Sequence, residues 1–379
     1  MFNYIIIGAG FAGSVIAERI TRVLNKKVLI IEKRAHIGGN CWDYRDKNGI
    51  IIHRYGPHLF HTDDKDIFAY LSNFTTWNIY HHKALAFVDG KAVPIPFNFN
   101  SIDILFPREI AERLKQKLLR KYQYGTRISI FELKKNKDKD LQFLAGYVYK
   151  KIFENYTKKQ WGTSPRMLHK EVLERVPITI GKDNRYFNNR YQVVPEYGYA
   201  RIFENMLNHP DITIWSNTNF KDVIDIKNNQ IYFQKKTYNG ILIFTGMIDE
   251  LLNYRFGFLP YRTLKFRFKT IKQKFYQKVA IVNYPNEYKF TRITEFKHIH
   301  PVDTPVTKIV FEYPKKYKIG DIPYYPLFTE AAKQKYYKYL ENTQKIRNLI
   351  LVGRLAEYRY YDMDDVVKRA LVVFEEKIK

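Results

Sequence analysis

A short apolar run, Tyr4–Ile7, enters Gly8-Ala9-Gly10-Phe11-Ala12-Gly13 and leaves it as a helix with periodic apolar residues over Ser14–Leu24. A second apolar run, Lys27–Ile31, ends at Glu32. G-x-G-x-x-G between a strand and a helix, with an acid closing the next strand, is the arrangement that holds a dinucleotide. Gly8 makes the tight turn, Gly10 lets the backbone approach a pyrophosphate, and Gly13 lets helix and strand pack closely. The helix N-terminus, at Phe11 and Ala12, offers free N–H groups and a partial positive charge to the phosphates. Glu32 is placed to accept hydrogen bonds from both hydroxyls of a ribose.

Beyond this unit the pattern reads as an α/β chain, a Rossmann-like domain interrupted by insertions. Gly49–His53 and Ala84–Asp89 read as strands, and Asp89-Gly90 is a hairpin turn signal. From Pro107 the chain turns helical, with a highly charged helix over Arg108–Tyr122 and a solvated loop over Lys134–Lys139. Strand signals return from Ile212. Asn228-Asn229 separates two alternating runs, and Gly240–Thr245 is a buried strand. Leu264–Phe268, Ala280–Asn283, Arg292–Glu295 and Lys308–Glu312 read as an antiparallel sheet. Glu330–Glu341 is a helix, Asn348–Val352 a last buried strand and Asp362–Lys377 the closing helix. The expected division is a discontinuous dinucleotide domain (1–80, 195–250 and 345–379), a helical insert (100–170) and an antiparallel β-sheet domain (81–99, 171–194 and 251–344).

Composition narrows the setting. Hydrophobic residues make up 45% of the chain, enough for a sizeable core. Cys41 is the single cysteine, so no intrachain disulfide can form and a reducing cytoplasm is expected. No apolar run reaches the length of a membrane span. The opening strand starts almost at Met1, so a signal peptide is not expected. The net charge of +26 raises nucleic acid binding, but the lysines are spread along the chain rather than gathered into an arm. They read as solvated faces, or as a field that draws a pyrophosphate-bearing substrate. No nucleic acid partner is expected.

Several residues outside the glycine unit could carry chemistry. His58 and His61 are three apart, yet no Cys, Asp or Glu cluster completes a metal site, so no metal is expected. Tyr156, Thr157, Gln160 and Trp161 are followed by Arg175, Tyr186 and Arg190. Aromatic faces for a base and arginines for phosphates make this a nucleotide site, although a buried Trp also serves as ordinary core. Arg292 on a strand and Tyr324-Tyr325 between two prolines extend the same theme. Asp362 stands at a helix start, where it could be a plain N-cap. There is no nucleophile elbow, no H-E-x-x-H and no P-loop. Glu32-Lys33-Arg34 followed by Gly38-Gly39-Asn40 resembles the flavin amine oxidase type of fold and favours FAD over NAD. Gly353-Arg354 and Tyr361-Asp362-Met363 would then bring a second helix N-terminus to the ring end of the cofactor. A plain strand–helix pair closing the sheet is the alternative.

Taken together these motifs resemble the UDP-galactopyranose mutases over nearly the whole chain. The segments that carry the resemblance are Gly8–Gly13, Ile31–Arg34, His36–Asn40, His53–Thr62, Tyr156–Gly162, Asp183–Phe187, Tyr254–Gly257, Tyr324–Pro326 and Gly353–Met363. The resemblance implies FAD, active only when reduced by an external reductant, and a flavin N5 that attacks the anomeric carbon while the nucleoside diphosphate departs. The pyranose and furanose forms of UDP-galactose would be interconverted without net redox change, serving cell-surface polysaccharide synthesis. It further implies that Arg175 and Arg292 neutralise the leaving pyrophosphate. Thr157, Trp161, Tyr186 and Asn283 would hold the uridine, Tyr325 and Tyr360 would reach phosphate oxygens, and His82 would line the sugar pocket. His58 and His61 would lie against flavin and sugar. Lys33, Gly39, Asn40, Leu59, Arg354, Tyr361, Asp362, Met363 and Val366 would contact the flavin nucleotide. The Trp161 region would belong to a mobile lid, and the protein would be a homodimer.

Some positions depart from the family pattern. Thr179 replaces a usual Arg, Lys182 a usual aromatic, Asn155 a usual Gly and Met247 a usual Pro. Most of these cluster around the nucleotide rather than the flavin, which keeps UDP-N-acetylgalactosamine and dTDP-fucose open as substrates. A flavin amine oxidase-type oxidoreductase is the alternative from another reaction class.

Overall fold

The computed structural model describes residues 2–162 and 177–379. Its first layer is a five-stranded parallel sheet in the spatial order Ile212–Trp215, Val28–Ile31, Tyr4–Ile7, Ile241–Phe244, Leu349–Leu351. These strands are short and almost wholly apolar because both faces are covered. One face, with Ile6, Ile30 and Ile243, packs under the helices Phe11–Leu24, Tyr199–Leu207 and Met363–Lys377. The other face, with Ile5, Leu29 and Phe244, packs against Ile248–Leu251, Glu330–Gln344 and a small meander. The meander turns at Asn228 and Asn229, both with positive φ, as the Asn-Asn pair foretold.

A seven-stranded sheet forms the second layer, ordered Tyr325–Pro326, Tyr261–Ile271, Thr307–Lys316, Arg292–Glu295, Ile281–Asn283, Ala84–Val88, Lys91–Ile95. The antiparallel reading holds for every neighbouring pair except one: Ile281–Asn283 runs parallel to Ala84–Ala86. That contact joins segments far apart in the chain, and nothing local in either segment encodes its direction. The expected hairpin turn forms at Asp89-Gly90, with φ of 48° and 77°.

The helical segment buries an apolar stripe against the seven-stranded sheet. In the helix Arg108–Lys121, Ala111, Leu114 and Leu118 point inward at helical spacing and the charged residues face out. A π-helical turn over Tyr149–Glu154 precedes the helix Asn155–Trp161, shifting the face on which Tyr156 and Trp161 stand. Gly162, with φ of 66°, ends that helix.

Gly13 is where the first helix crosses the first strand, and a Cβ there would overlap the Gly8 carbonyl oxygen and press on Ile6. Gly13→Val should therefore destabilise the fold by about 2–3 kcal/mol through overpacking. Urea unfolding followed by circular dichroism measures this, and an unchanged midpoint would refute the close packing.

Candidate active site

The glycine turn, Glu32 and the Gly38–Asn40 turn meet at the carboxyl end of the parallel sheet, where ligands bind in open α/β sheets. They wall a cavity of about 240 Å³. Gly10 is the extended N-cap of the first helix, which has no side-chain cap and no acid in its first turn. Its leading N–H groups are thus left for an anion. Glu32 is 5% exposed. One of its oxygens accepts the N–H of Ala9 at 2.9 Å and the other that of Arg34 at 2.9 Å. Each oxygen keeps a further lone pair for a hydroxyl. Gly8, Gly10, Phe11, Ala12, Lys33, Gly39, Asn40 and Val366 join the wall. Gly13 and Tyr361 do not; Gly13 packs behind the turn, and the Tyr361 carbonyl accepts from the Arg354 guanidinium.

A second cavity of about 680 Å³ opens against the seven-stranded sheet. His61, His82, Tyr186, Asn283, Tyr325 and Tyr360 contribute to it, as do Arg292 and Leu59. The two cavities share His58, Arg354, Asp362 and Met363. Asp362 is indeed the N-cap of the last helix, its N–H donating to the Asp365 carboxylate at 3.0 Å, so it has both the structural place and a place in the wall.

Arg292 donates to the Tyr156 hydroxyl at 2.6 Å, and its Nε lies 3.4 Å from the Glu312 carboxylate. Burial alone would lower its pKa, but Glu312 and the tyrosines Tyr156, Tyr325 and Tyr186 hold it above the usual arginine value. Burial raises Glu312, and Arg292 opposes that shift. Asn283, directly across the strand pair from Arg292, has a buried carbonyl oxygen without a partner among the described residues. Tyr325 stacks parallel on Tyr360 with centroids 6.1 Å apart, and the Arg354 guanidinium sits 5.1 Å from the Tyr360 ring.

Trp161 lies beside Tyr325, at 5.7 Å between ring centroids, and Thr157 is buried in the same helix; neither is in the cavity wall. Arg175 lies outside the described residues. Of the departures from the family pattern, Met247 lines the smaller cavity, Thr179 is buried across from Arg127, Asn155 bonds Asn286 at 3.0 Å and Lys182 is exposed.

Sequence reasoning did not single out Thr218, Asn219 and Phe220, which line the smaller cavity just beyond the strand Ile212–Trp215. Their position after a parallel strand at the sheet's carboxyl edge was the available signal. Arg127 and Glu312 gave none, since only the tertiary fold brings them to the larger cavity and to Arg292.

A Rossmann-like dinucleotide cradle opening into a chamber with a partly buried arginine defines a dinucleotide-binding enzyme. An NAD(P)-binding Rossmann-like domain model matches residues 6–74, and the UDP-galactopyranose mutase model matches residues 151–360. The dTDP-fucopyranose mutase of Escherichia coli is 34% identical, across 100% of this chain and 99% of its own length. The UDP-galactopyranose mutase of Mycoplasma genitalium is also 34% identical, across 97% of this chain and 92% of its own. The crystal structure of reduced UDP-galactopyranose mutase superposes with a TM-score of 0.71 at 16% identity, covering 100% of this chain and 94% of that one. A putrescine oxidase variant shares the fold at a TM-score of 0.60 and 8% identity, with 98% of each chain covered. The chain belongs to the UDP-galactopyranose mutase family, and it is an isomerase.

Burial depresses His82 to about 3, helped by Arg292 and His61, and drives His53 well below its usual 6.5. Both titrate near 6.5 when unfolded, so the folded protein holds fewer protons below that pH and loses stability as pH falls. His82 contributes about 2 kcal/mol of that loss between pH 6.5 and 5, and His53 acts in the same direction. Asp43, raised to about 6 by burial, works in the opposite direction, its stabilisation being lost as pH rises through 6. The net expectation is a lower denaturation midpoint at pH 5 than at pH 7.5, measured on the ligand-free protein. A higher midpoint at pH 5 contradicts it.

Proposed function

We propose that the protein holds FAD in the smaller cavity and interconverts the pyranose and furanose forms of a nucleotide sugar in the larger one. The observation that carries this reading is the wall shared by the two cavities at His58, Arg354, Asp362 and Met363. Among the described residues these four are the ones common to both walls, so a ring system held from the glycine cradle would meet the second chamber beside them. The uncapped helix N-terminus and the doubly bonded Glu32 fit the pyrophosphate and ribose of such a cofactor. When bound and reduced, the flavin supplies a nucleophilic N5 for the anomeric carbon.

The protein's part is electrostatic and positional. Arg292, kept charged by Glu312 and held by Tyr156, neutralises the diphosphate as it leaves and receives it again on return. Tyr325 and Tyr360 offer hydroxyls to the phosphate oxygens, and Arg175 is a second cation for them. Thr157, Trp161, Tyr186 and Asn283 hold the base and ribose, with Trp161 on a lid that closes over them. His82, neutral at physiological pH, offers the sugar a hydrogen bond without competing for the diphosphate. His58 Nδ1 is 2.8 Å from the Gly56 carbonyl, so its proton resides there and Nε2 is an acceptor. Residues 1–80, 195–250 and 345–379 then serve as the cofactor domain, 100–170 as the insert and the remainder as the sheet domain.

UDP-galactose is the first-choice substrate. The full-length likeness to a dTDP-fucopyranose mutase makes dTDP-fucose a specific second reading, and UDP-N-acetylgalactosamine a third. An external reductant, a homodimer and a cytoplasmic location complete the proposal.

Dithionite-reduced protein incubated with these three sugars should yield furanose products resolvable by liquid chromatography, while oxidised protein yields none. Bleaching of oxidised flavin by substrate under anaerobic conditions would instead indicate an oxidoreductase. Arg292→Ala should lower kcat by about 100- to 1000-fold with flavin still bound. Glu32→Ala should reduce the flavin retained on purification, read from the absorbance ratio of flavin to protein. Undiminished flavin in that variant removes the ribose role.

A further inference from the structure

His53 and His300 are 247 residues apart in sequence, yet their Nε2 atoms lie 3.1 Å apart in the interior. His53 is 0% exposed and His300 6%. Neither belongs to the cavity walls. His53 ends the strand Ile51–His53, and the turn that follows, Arg54–Pro57, delivers His58 to the wall common to both cavities. The backbone N–H of His58 donates to His53 Nδ1 at 3.0 Å.

These contacts dictate where every proton sits. His53 Nδ1 accepts from a backbone N–H, so it carries no proton of its own. The neutral His53 ring is therefore protonated at Nε2 and donates to His300 Nε2. His300 in turn keeps its proton on Nδ1. A proton added to His53 would place an N–H on Nδ1 against the N–H of His58. One added to His300 would place an N–H on Nε2 against that of His53, and relief by tautomer exchange again puts a proton on His53 Nδ1. Both routes end by pushing the His58 backbone away.

We propose that His53 and His300 are positioning residues, a buried two-ring relay that holds the His58 turn, and with it the shared wall, in place only while both rings are neutral. The proposal rests on reading the smaller cavity as the flavin site. The surroundings favour neutrality on balance. Burial, then His300 and His58, lower His53; burial, then Arg45, lowers His300 to about 4. Opposing them, Asp43 Oδ2 is 4.0 Å from His53 Nε2. That carboxylate is engaged by the N–H groups of Tyr199 and Ala200 at 2.6 and 2.9 Å and raised to about 6 by burial, with Glu204 adding to the rise. Tyr199 and Phe296 pack their rings on His53 at 5.6 Å and bring no charge at neutral pH.

The test uses flavin-loaded protein and reads the flavin itself. In the parent, lowering the pH from 7.5 to 4.5 should shift the visible absorbance of the oxidised flavin; midpoint potentials are compared between variants at pH 7.5, because flavin reduction itself takes up protons. His300→Gln, whose amide oxygen can accept from His53 without titrating, should keep the parent spectrum at pH 7.5 and lose most of the acid shift. His300→Leu removes the acceptor, and should retain flavin while lowering kcat about tenfold with little change in KM. Parent-like spectra, potentials and pH dependence in both variants would overturn the relay. A parent that binds no flavin would overturn the functional reading instead, so the two failures are distinguishable. Should His300→Leu fail to fold, His300→Gln alone decides the matter.

Discussion

The two oxygens of one buried carboxylate, Glu32, close on the backbone N–H groups of Ala9 and Arg34, and this clasp ties the glycine turn to the end of the second strand. It reinforces the backbone bond from the Gly8 N–H to the Ile31 carbonyl at 2.9 Å, which joins the same two segments. With it, the uncapped helix end, the carboxylate and the Gly38–Asn40 turn converge on one cavity. The clasp costs little, because a carboxylate that accepts backbone hydrogen bonds offsets its own desolvation. The position of the smaller cavity follows from this clasp together with the backbone bonds Gly8 N–H to Ile31 O and Gly38 N–H to Ala9 O.

The larger chamber depends on a second buried charge. Arg292 and Glu312 are cross-strand partners at the register Arg292↔Glu312, and both are largely withdrawn from water. A buried pair of this kind is weak evidence for stability, since desolvation consumes most of the Coulombic gain. On the function proposed above its value is catalytic: a cation held rigidly in a low-dielectric wall would interact strongly with a diphosphate and need no reorganisation when charge develops on the leaving group. Tyr156 adds a hydroxyl to the same cation and couples it to the helix that bears Trp161.

Much of this was legible in the residues. The strand–turn–helix–strand unit, the Asp89-Gly90 hairpin and the Arg108–Lys121 helix are local patterns whose turn chemistry and periodicity act over a few residues. The resemblance carried by His53–Thr62 and Gly353–Met363 placed most of the wall residues. Three features stayed hidden: the π-turn ahead of Asn155, the parallel pairing of Ile281–Asn283 with Ala84–Ala86, and the contact between His53 and His300. Each involves either a one-residue shift inside an otherwise regular helix or partners separated by well over a hundred residues, which no window of sequence contains.

By itself the sequence determined a Rossmann-like unit with its glycine turn and Glu32 at one strand edge, because G-x-G-x-x-G and the acid act through the local backbone geometry of a βαβ unit. It also determined the family. Only the tertiary structure decided that the cradle opens into a second chamber through His58, Arg354, Asp362 and Met363, and that Arg292 stands there against Glu312. Adjacency of two cavities and the electrostatics of a buried ion pair arise from the packing of distant elements, and packing is a property of the folded chain rather than of any segment in it.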